Sequence, residues 1–170
     1  MRFQKINQVE KKYITKNYKQ TQKLGENLAR EILELPLSQV LSGKIWEGKQ
    51  KEAVVLGLQG NLGGGKTTFL QGFAKGLGVK EKILSPTFVI LKRFKTKDDS
   101  MGASRNFYHI DCYRLKNEKD ILELDFKKIV SNPKNIIAIE WPEKIKKVLP
   151  KNIILINFKF IDKNKREISF

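Results

Sequence analysis

The sequence has one cysteine and one histidine in 170 residues. A lone thiol forms no intrachain disulfide, and with a single histidine it supplies no zinc-type ligand cluster. Disulfide-stapled and structural-zinc scaffolds are therefore excluded. Long apolar runs are missing too, since none approaches the ~20 residues needed to cross a bilayer. The opening stretch from Met1 to Gln8 has no apolar h-region, so no secretory signal and no membrane partner are expected, and the location expected is cytoplasmic. Acidic residues are few, 18 against 34 basic ones, for a formal net charge of +16. Arginine is scarce among the basic residues, which are mostly lysines spread along the whole chain. This charge admits two readings, a face for nucleic acid and a surface simply solvated by lysine. No helix-turn-helix, zinc finger or RNP signature accompanies it, which favours the solvated surface. The remainder is globular in composition, 40% hydrophobic and 9% aromatic, sufficient for one domain with a substantial core.

The densest signal is Gly60-Asn61-Leu62-Gly63-Gly64-Gly65-Lys66-Thr67-Thr68. Its spacing, G-x-x-x-x-G-K-[ST], defines a P-loop, and the flanks suit it. An apolar strand, Ala53 to Leu58, precedes the motif, and a helix-compatible segment follows to a stop near Gly76 and Gly78. Glycines let the backbone approach a phosphate closely, and the N–H groups at the helix start point at it. Asn61, Leu62, Gly63, Gly64, Gly65, Lys66, Thr67 and Thr68 are the expected nucleotide-contacting residues. Lys66 is expected on the β and γ phosphates and the Thr67 hydroxyl on magnesium.

Before the P-loop, residues 1–20 read as a basic N-terminal extension in which only Tyr13-Ile14-Thr15 resembles a strand. A helix capped by Thr21 follows and ends at Pro36, and 37–52 reads as loop. After the P-loop, a turn at Ser85-Pro86 leads into a strand up to Leu91, and 95–106 is a polar loop. A strand at Phe107–Asp111, a helix over 117–130, a strand at Ile136–Glu140 and a hairpin of 153–161 with 166–170 complete the chain. Strands alternating with helices behind a P-loop predict a three-layer α/β fold of the P-loop NTPase type. Its central sheet should be mostly parallel, ending in a C-terminal β-hairpin, and 21–170 should form a single ATPase domain.

Such a site needs a carboxylate for magnesium and a group to place the attacking oxygen. Ligands in open α/β sheets sit at the carboxyl ends of strands, and Asp111 and Glu140 both end strands. They are the candidate metal-side acids, beside the alternative that each only caps a strand or pairs with a lysine. Thr87, after Ser85-Pro86, is either a switch-like hydroxyl for Mg²⁺ or γ-phosphate or part of a plain turn. His109 alternates onto the same strand face as Asp111 and reads as a hydrogen-bonding histidine in preference to a general base. Cys112 reads as a small core residue.

Four ordered blocks then carry a family resemblance: GNLGGGKTTF at 60–69, SPTF at 85–88, YHIDCYRL at 108–115 and IEWPE at 139–143. With them the chain resembles the TsaE (YjeE) family, P-loop ATPases of tRNA threonylcarbamoyladenosine biosynthesis. The resemblance implies that Lys66 and Thr67 bind phosphate and magnesium and that Thr87 senses phosphate. It makes Asp111 the Walker B acid, places Glu140 on the attacking water and the metal side, and sets Trp141 near the nucleotide. Lys66, Thr87 and Glu140 are thus the implied catalytic set, with ATP and Mg²⁺ as ligands. It further implies an accessory role beside TsaB and TsaD homologues, with tRNA reached indirectly through that complex. Gly64 stands where alanine is commoner in the family, 36–52 is longer than usual, and the basic N-terminus lies outside the match.

A small-molecule kinase on the same P-loop is the alternative. Such kinases clamp the transferring phosphate with clustered arginines, which this arginine-poor chain does not offer. A GTP switch is discounted because the nearest approach to N-K-x-D, Asn164-Lys165-Arg166-Glu167, ends in glutamate within the terminal hairpin.

Overall fold

In this computed structural model, residues 11–34, 52–84, 90–97 and 105–170 are described. Their elements run β1 (Lys12–Thr15), α1 (Tyr18–Glu34), β2 (Val54–Gln59), α2 (Lys66–Gly76), β3 (Leu91–Lys95) and β4 (Asn106–Asp111). They continue with α3 (Glu118–Leu122), α4 (Phe126–Val130), β5 (Asn135–Glu140), a 3-10 segment (Pro142–Val148), β6 (Ile154–Phe160) and β7 (Arg166–Ser169).

The strands form one seven-stranded sheet in the order β1-β7-β6-β2-β5-β4-β3. The inner pairs β6/β2, β2/β5 and β5/β4 are parallel, while β1/β7, β7/β6 and β3/β4 are antiparallel. Sequence pattern explains the placement. The runs Val54–Leu58 and Asn135–Glu140 are buried throughout, as strands covered on both faces must be. β6 and β7 form the expected hairpin, with Phe158 opposite Ile168.

Each sheet face has its own apolar layer. On one, Phe69, Leu70 and Phe73 of α2 and Ala29 and Ile32 of α1 pack on Leu56, Leu58, Phe107 and Ile136. On the other, Ile121, Phe126 and Ile145 cover Val55, Ile110, Ile137 and Ile139. The contact between α1 and α2 is unusually close. A Cβ on Gly72 would stand 1.8 Å from the Gln22 carbonyl oxygen, and one on Gly25 would stand 2.3 Å from that of Phe69. Only glycine permits two helix backbones to approach so nearly. Glu26 adds a polar tie, reaching Lys75 of α2 at 3.5 Å as well as Arg30 of its own helix.

The observed elements correct the sequence reading in four places. Residues 12–15 are an integral edge strand, and α1 starts at Tyr18, so these residues belong to the fold and not to an extension. Thr21 is consequently no cap; it is buried inside α1, with Oγ1 2.8 Å from that of Thr15. The helix expected over 117–130 is two short helices, because Asp125 takes φ 56° and breaks the ladder. Its start is as expected, since Asn117 caps Lys119 N–H in a full capping box. The third strand lies at Leu91–Lys95, within what read as the end of a strand and the start of a loop. Nothing in the periodicity announced the 3-10 segment. Pro36, the Ser85-Pro86 turn and the loop over 37–51 lie outside the described residues.

Candidate functional site at the strand ends

β2 ends at Gln59 and α2 begins at Lys66, so six residues must turn strand into helix. Gly65 does so at φ 98°, a left-handed conformation that disfavours any side chain. Gly64 N–H donates to the Asn61 carbonyl at 3.1 Å, closing the loop on itself. No side chain caps α2, so its first-turn N–H groups and positive dipole end are available to an anion.

Lys66 is buried at 5% exposure. Its Nζ donates to the carbonyls of Gly60 and Asn61 and stands 4.0 Å from the centre of the Trp141 ring. Burial pushes its pKa below that of an ordinary lysine, while Glu140, Glu143 and Asp111 act to raise it. A partly desolvated ammonium of this kind interacts more strongly with an anion than one in bulk water.

The two acids are brought together by register, Asp111 directly beside Glu140 on adjacent parallel strands. Glu140 is 3% exposed, and each of its carboxylate oxygens lies 3.2 Å from Thr67 Oγ1. Asp111 is half-buried and accepts from Tyr113 N–H at 2.9 Å. Trp141 follows β5 at φ 59° and ψ 50°. That left-handed backbone costs a non-glycine residue roughly 1–2 kcal/mol. Its N–H donates to the Leu58 carbonyl at 3.2 Å, and its ring meets Tyr113 with centres 5.2 Å apart.

Two cavities share Gly63, Gly65 and Thr67. The smaller, about 110 Å³, is lined by Lys66, Asp111, Tyr113, Glu140 and Trp141. The larger, about 450 Å³, lies between Asn17 and Tyr18, Thr68, and Lys163, Asn164 and Arg166. Arg166 braces the loop between them: Nε donates to the Gly63 carbonyl at 2.8 Å, and Nη1 to the carbonyls of Asp162 and Lys165.

A magnesium ion suits this set on chemical grounds. Magnesium is typically held by one or two carboxylates together with phosphate and water oxygens, not by a protein cage. Among the described residues no three His, Cys, Asp or Glu side chains cluster to hold a metal alone. Thr67, Glu140 and Asp111 around a small cavity match the open pattern.

Of the residues singled out by sequence, Lys66, Thr67, Asp111, Glu140 and Trp141 converge on the smaller cavity with Leu62, Gly63, Gly64 and Gly65. Thr68 lines the larger one, and Asn61 supplies a carbonyl to Lys66. Thr87 lies outside the described residues. Two contacts were not anticipated. His109 Nε2 lies 2.9 Å from Glu140 Oε1, and Arg166 reaches the P-loop from 103 residues away. Alternation did place His109 on the face of Asp111, and that was the available signal for the first. For the second, spacing and periodicity gave none, and only the likeness of Arg166-Glu167-Ile168 to the family's ending marked the residue. Cys112 is fully buried, and burial foremost, then Asp111 and Glu143, pushes its thiol pKa up to about 12. It is inert core, as expected.

The chain is similar to known proteins over most of its length. The family profile described as "Threonylcarbamoyl adenosine biosynthesis protein TsaE" matches residues 15–168. The protein of Rickettsia typhi called "tRNA threonylcarbamoyladenosine biosynthesis protein TsaE" is 38% identical over 124 residues, 72% of this chain and 81% of its own. The Bacillus subtilis protein of the same name is 38% identical over 120 residues, covering 71% and 70%. The crystal structure of Bacillus subtilis YdiB superposes with a TM-score of 0.63 at 28% identity, covering 95% of this chain and 84% of that one. A profile spanning nearly the whole chain, and relatives at this identity, together establish that the chain belongs to the TsaE family.

Proposed function

We propose that this protein is a Mg²⁺-dependent ATPase that assists threonylcarbamoyladenosine modification of tRNA alongside TsaB and TsaD homologues, meeting tRNA through that assembly. The observation that carries the proposal is the Thr67–Glu140 contact at the mouth of a P-loop. A hydroxyl suited to magnesium is held by a buried carboxylate, at the helix end where the phosphates would lie.

The polyphosphate sits along Gly63 to Thr68, its charge met by the α2 N–H groups and Lys66. Lys66 must then exchange its carbonyl partners and the Trp141 ring for phosphate oxygens. The larger cavity, continuous with the loop past Thr68, takes the nucleoside. Thr67, with Asp111 and Glu140, would hold magnesium, which when bound neutralises charge on the β and γ oxygens. Glu140 holds and orients the attacking water, and it keeps the Thr67 hydroxyl aligned. Phosphoryl transfer of this type is catalysed mainly by positioning and electrostatics, which is what these fixed groups provide. Transfer of threonylcarbamoyl belongs to the partners.

The deciding experiment is ATP turnover by the chain alone and with TsaB and TsaD homologues and tRNA. Turnover stimulated by the assembly is the expected result. Equal turnover without it, together with phosphate transfer to a small-molecule acceptor, would favour the kinase.

A further inference from the structure

The chain's single histidine stands beside the site, buried and in contact with its key acid. His109 precedes Asp111 by two residues on β4, and the parallel register sets Ala138 beside His109 and Glu140 beside Asp111. The imidazole therefore reaches one step diagonally, placing Nε2 2.9 Å from Glu140 Oε1. The two side chains are 1% and 4% exposed, so water does not compete for this contact. An ionised carboxylate can only accept, so with Glu140 in that form the bond has His109 donating through Nε2.

What this bond adds follows from the symmetry of the other one. Thr67 Oγ1 lies 3.2 Å from Oε1 and 3.2 Å from Oε2. It therefore does not choose between the oxygens, and the terminal torsion of a glutamate is intrinsically broad. His109 breaks the tie. It engages Oε1 alone and leaves Oε2 with the larger share of unused lone-pair capacity.

We propose that His109 is the positioning residue of Glu140. Its Nε2–H bond fixes the rotation of the carboxylate, ties Oε1 to the protein and turns Oε2 to the ligand side. The kinetic consequence rests on the ATPase reading; the pairing itself does not.

A single histidine makes the test direct. In ¹⁵N-labelled protein free of any histidine tag, the imidazole gives one set of ring-nitrogen signals. The expected spectrum shows a proton on Nε2, with a ring signal displaced in Glu140→Ala and, if that variant is poorly folded, in Glu140→Gln. An unprotonated, acceptor-type Nε2, or a signal indifferent to both substitutions, overturns the pairing. In turnover assays His109→Ala should lose about 10–100-fold in kcat, the usual scale for outer-shell partners of metal-site ligands, with nucleotide Kd unchanged. His109→Gln, whose amide N–H can reach Oε1, should recover most of it. Loss of Kd with kcat intact, or equal loss in both variants, refutes positioning. If the wild-type protein turns over no ATP even with its partners, the ATPase reading fails and the ring-nitrogen spectrum alone decides the pairing.

Discussion

Gly72→Ala gives the sharpest test of how α1 and α2 hold the P-loop. Helix propensity by itself predicts a gain, since alanine exceeds glycine by about 1 kcal/mol in a helix interior. The fold predicts the reverse. The new methyl would meet the Gln22 carbonyl oxygen at 1.8 Å and its carbon at 2.5 Å, where ordinary contact begins near 3.4 Å. Both clashing atoms are backbone, so no rotamer change relieves them, and α1 must be displaced from Phe69 and Phe73. Overpacking of this kind costs about 1–3 kcal/mol, and a rigid backbone partner puts it at the upper end. Set against the propensity gain, the net loss is about 2 kcal/mol. For a chain of this size that lowers Tm by about 4–8 °C, readable by calorimetry or by circular dichroism at 222 nm. An unchanged or raised Tm would refute the glycine-mediated contact.

Other expectations concern the site. Lys66→Ala and Asp111→Ala should each abolish Mg²⁺-dependent hydrolysis in a phosphate-release assay, and full turnover by either removes the ATPase assignment. Glu140→Ala should still bind a fluorescent ATP analogue but hydrolyse ATP poorly; lost binding would make Glu140 structural. With Trp46→Phe, Trp141 is the only tryptophan left, and its emission should change on saturation with ATP as Lys66 leaves the ring. No change would place Trp141 away from the ligand. Because burial pushes the Cys112 thiol pKa up to about 12, it stays protonated at pH 8–9. Ellman's reagent should label it only after unfolding, and rapid labelling of native protein contradicts its burial.

Local codes were the legible part of this sequence. The P-loop is written in consecutive residues, and the strands feeding it are continuous apolar runs, so motif and flanks could be read together. Asp111 and Glu140 were found because each terminates such a run. The His109–Glu140 bond depends on the register of two strands separated by α3 and α4, and periodicity does not encode register. The break at Asp125 was hidden for a different reason. Leu124-Asp125-Phe126 has neither glycine nor proline to announce the left-handed residue there, and Ile121 and Phe126 on either side of it join one apolar cluster. Tyr13-Ile14-Thr15 did read as strand-like, but its place in the sheet was hidden because an edge strand with only Thr15 buried shows almost no alternation.

Arg166 gives the order of synthesis a role in the site. The P-loop leaves the ribosome about a hundred residues before the arginine that braces it at Gly63. β7, which carries that arginine, also lies between β6 and β1, and just beyond it Phe170 N–H donates to the Lys11 carbonyl. A nascent chain therefore carries the complete P-loop motif long before its loop is braced. Since domains generally fold as units during translation, a message that stops short of residue 166 yields the motif without its brace. In this protein Arg166, a hundred residues beyond the motif, completes the loop.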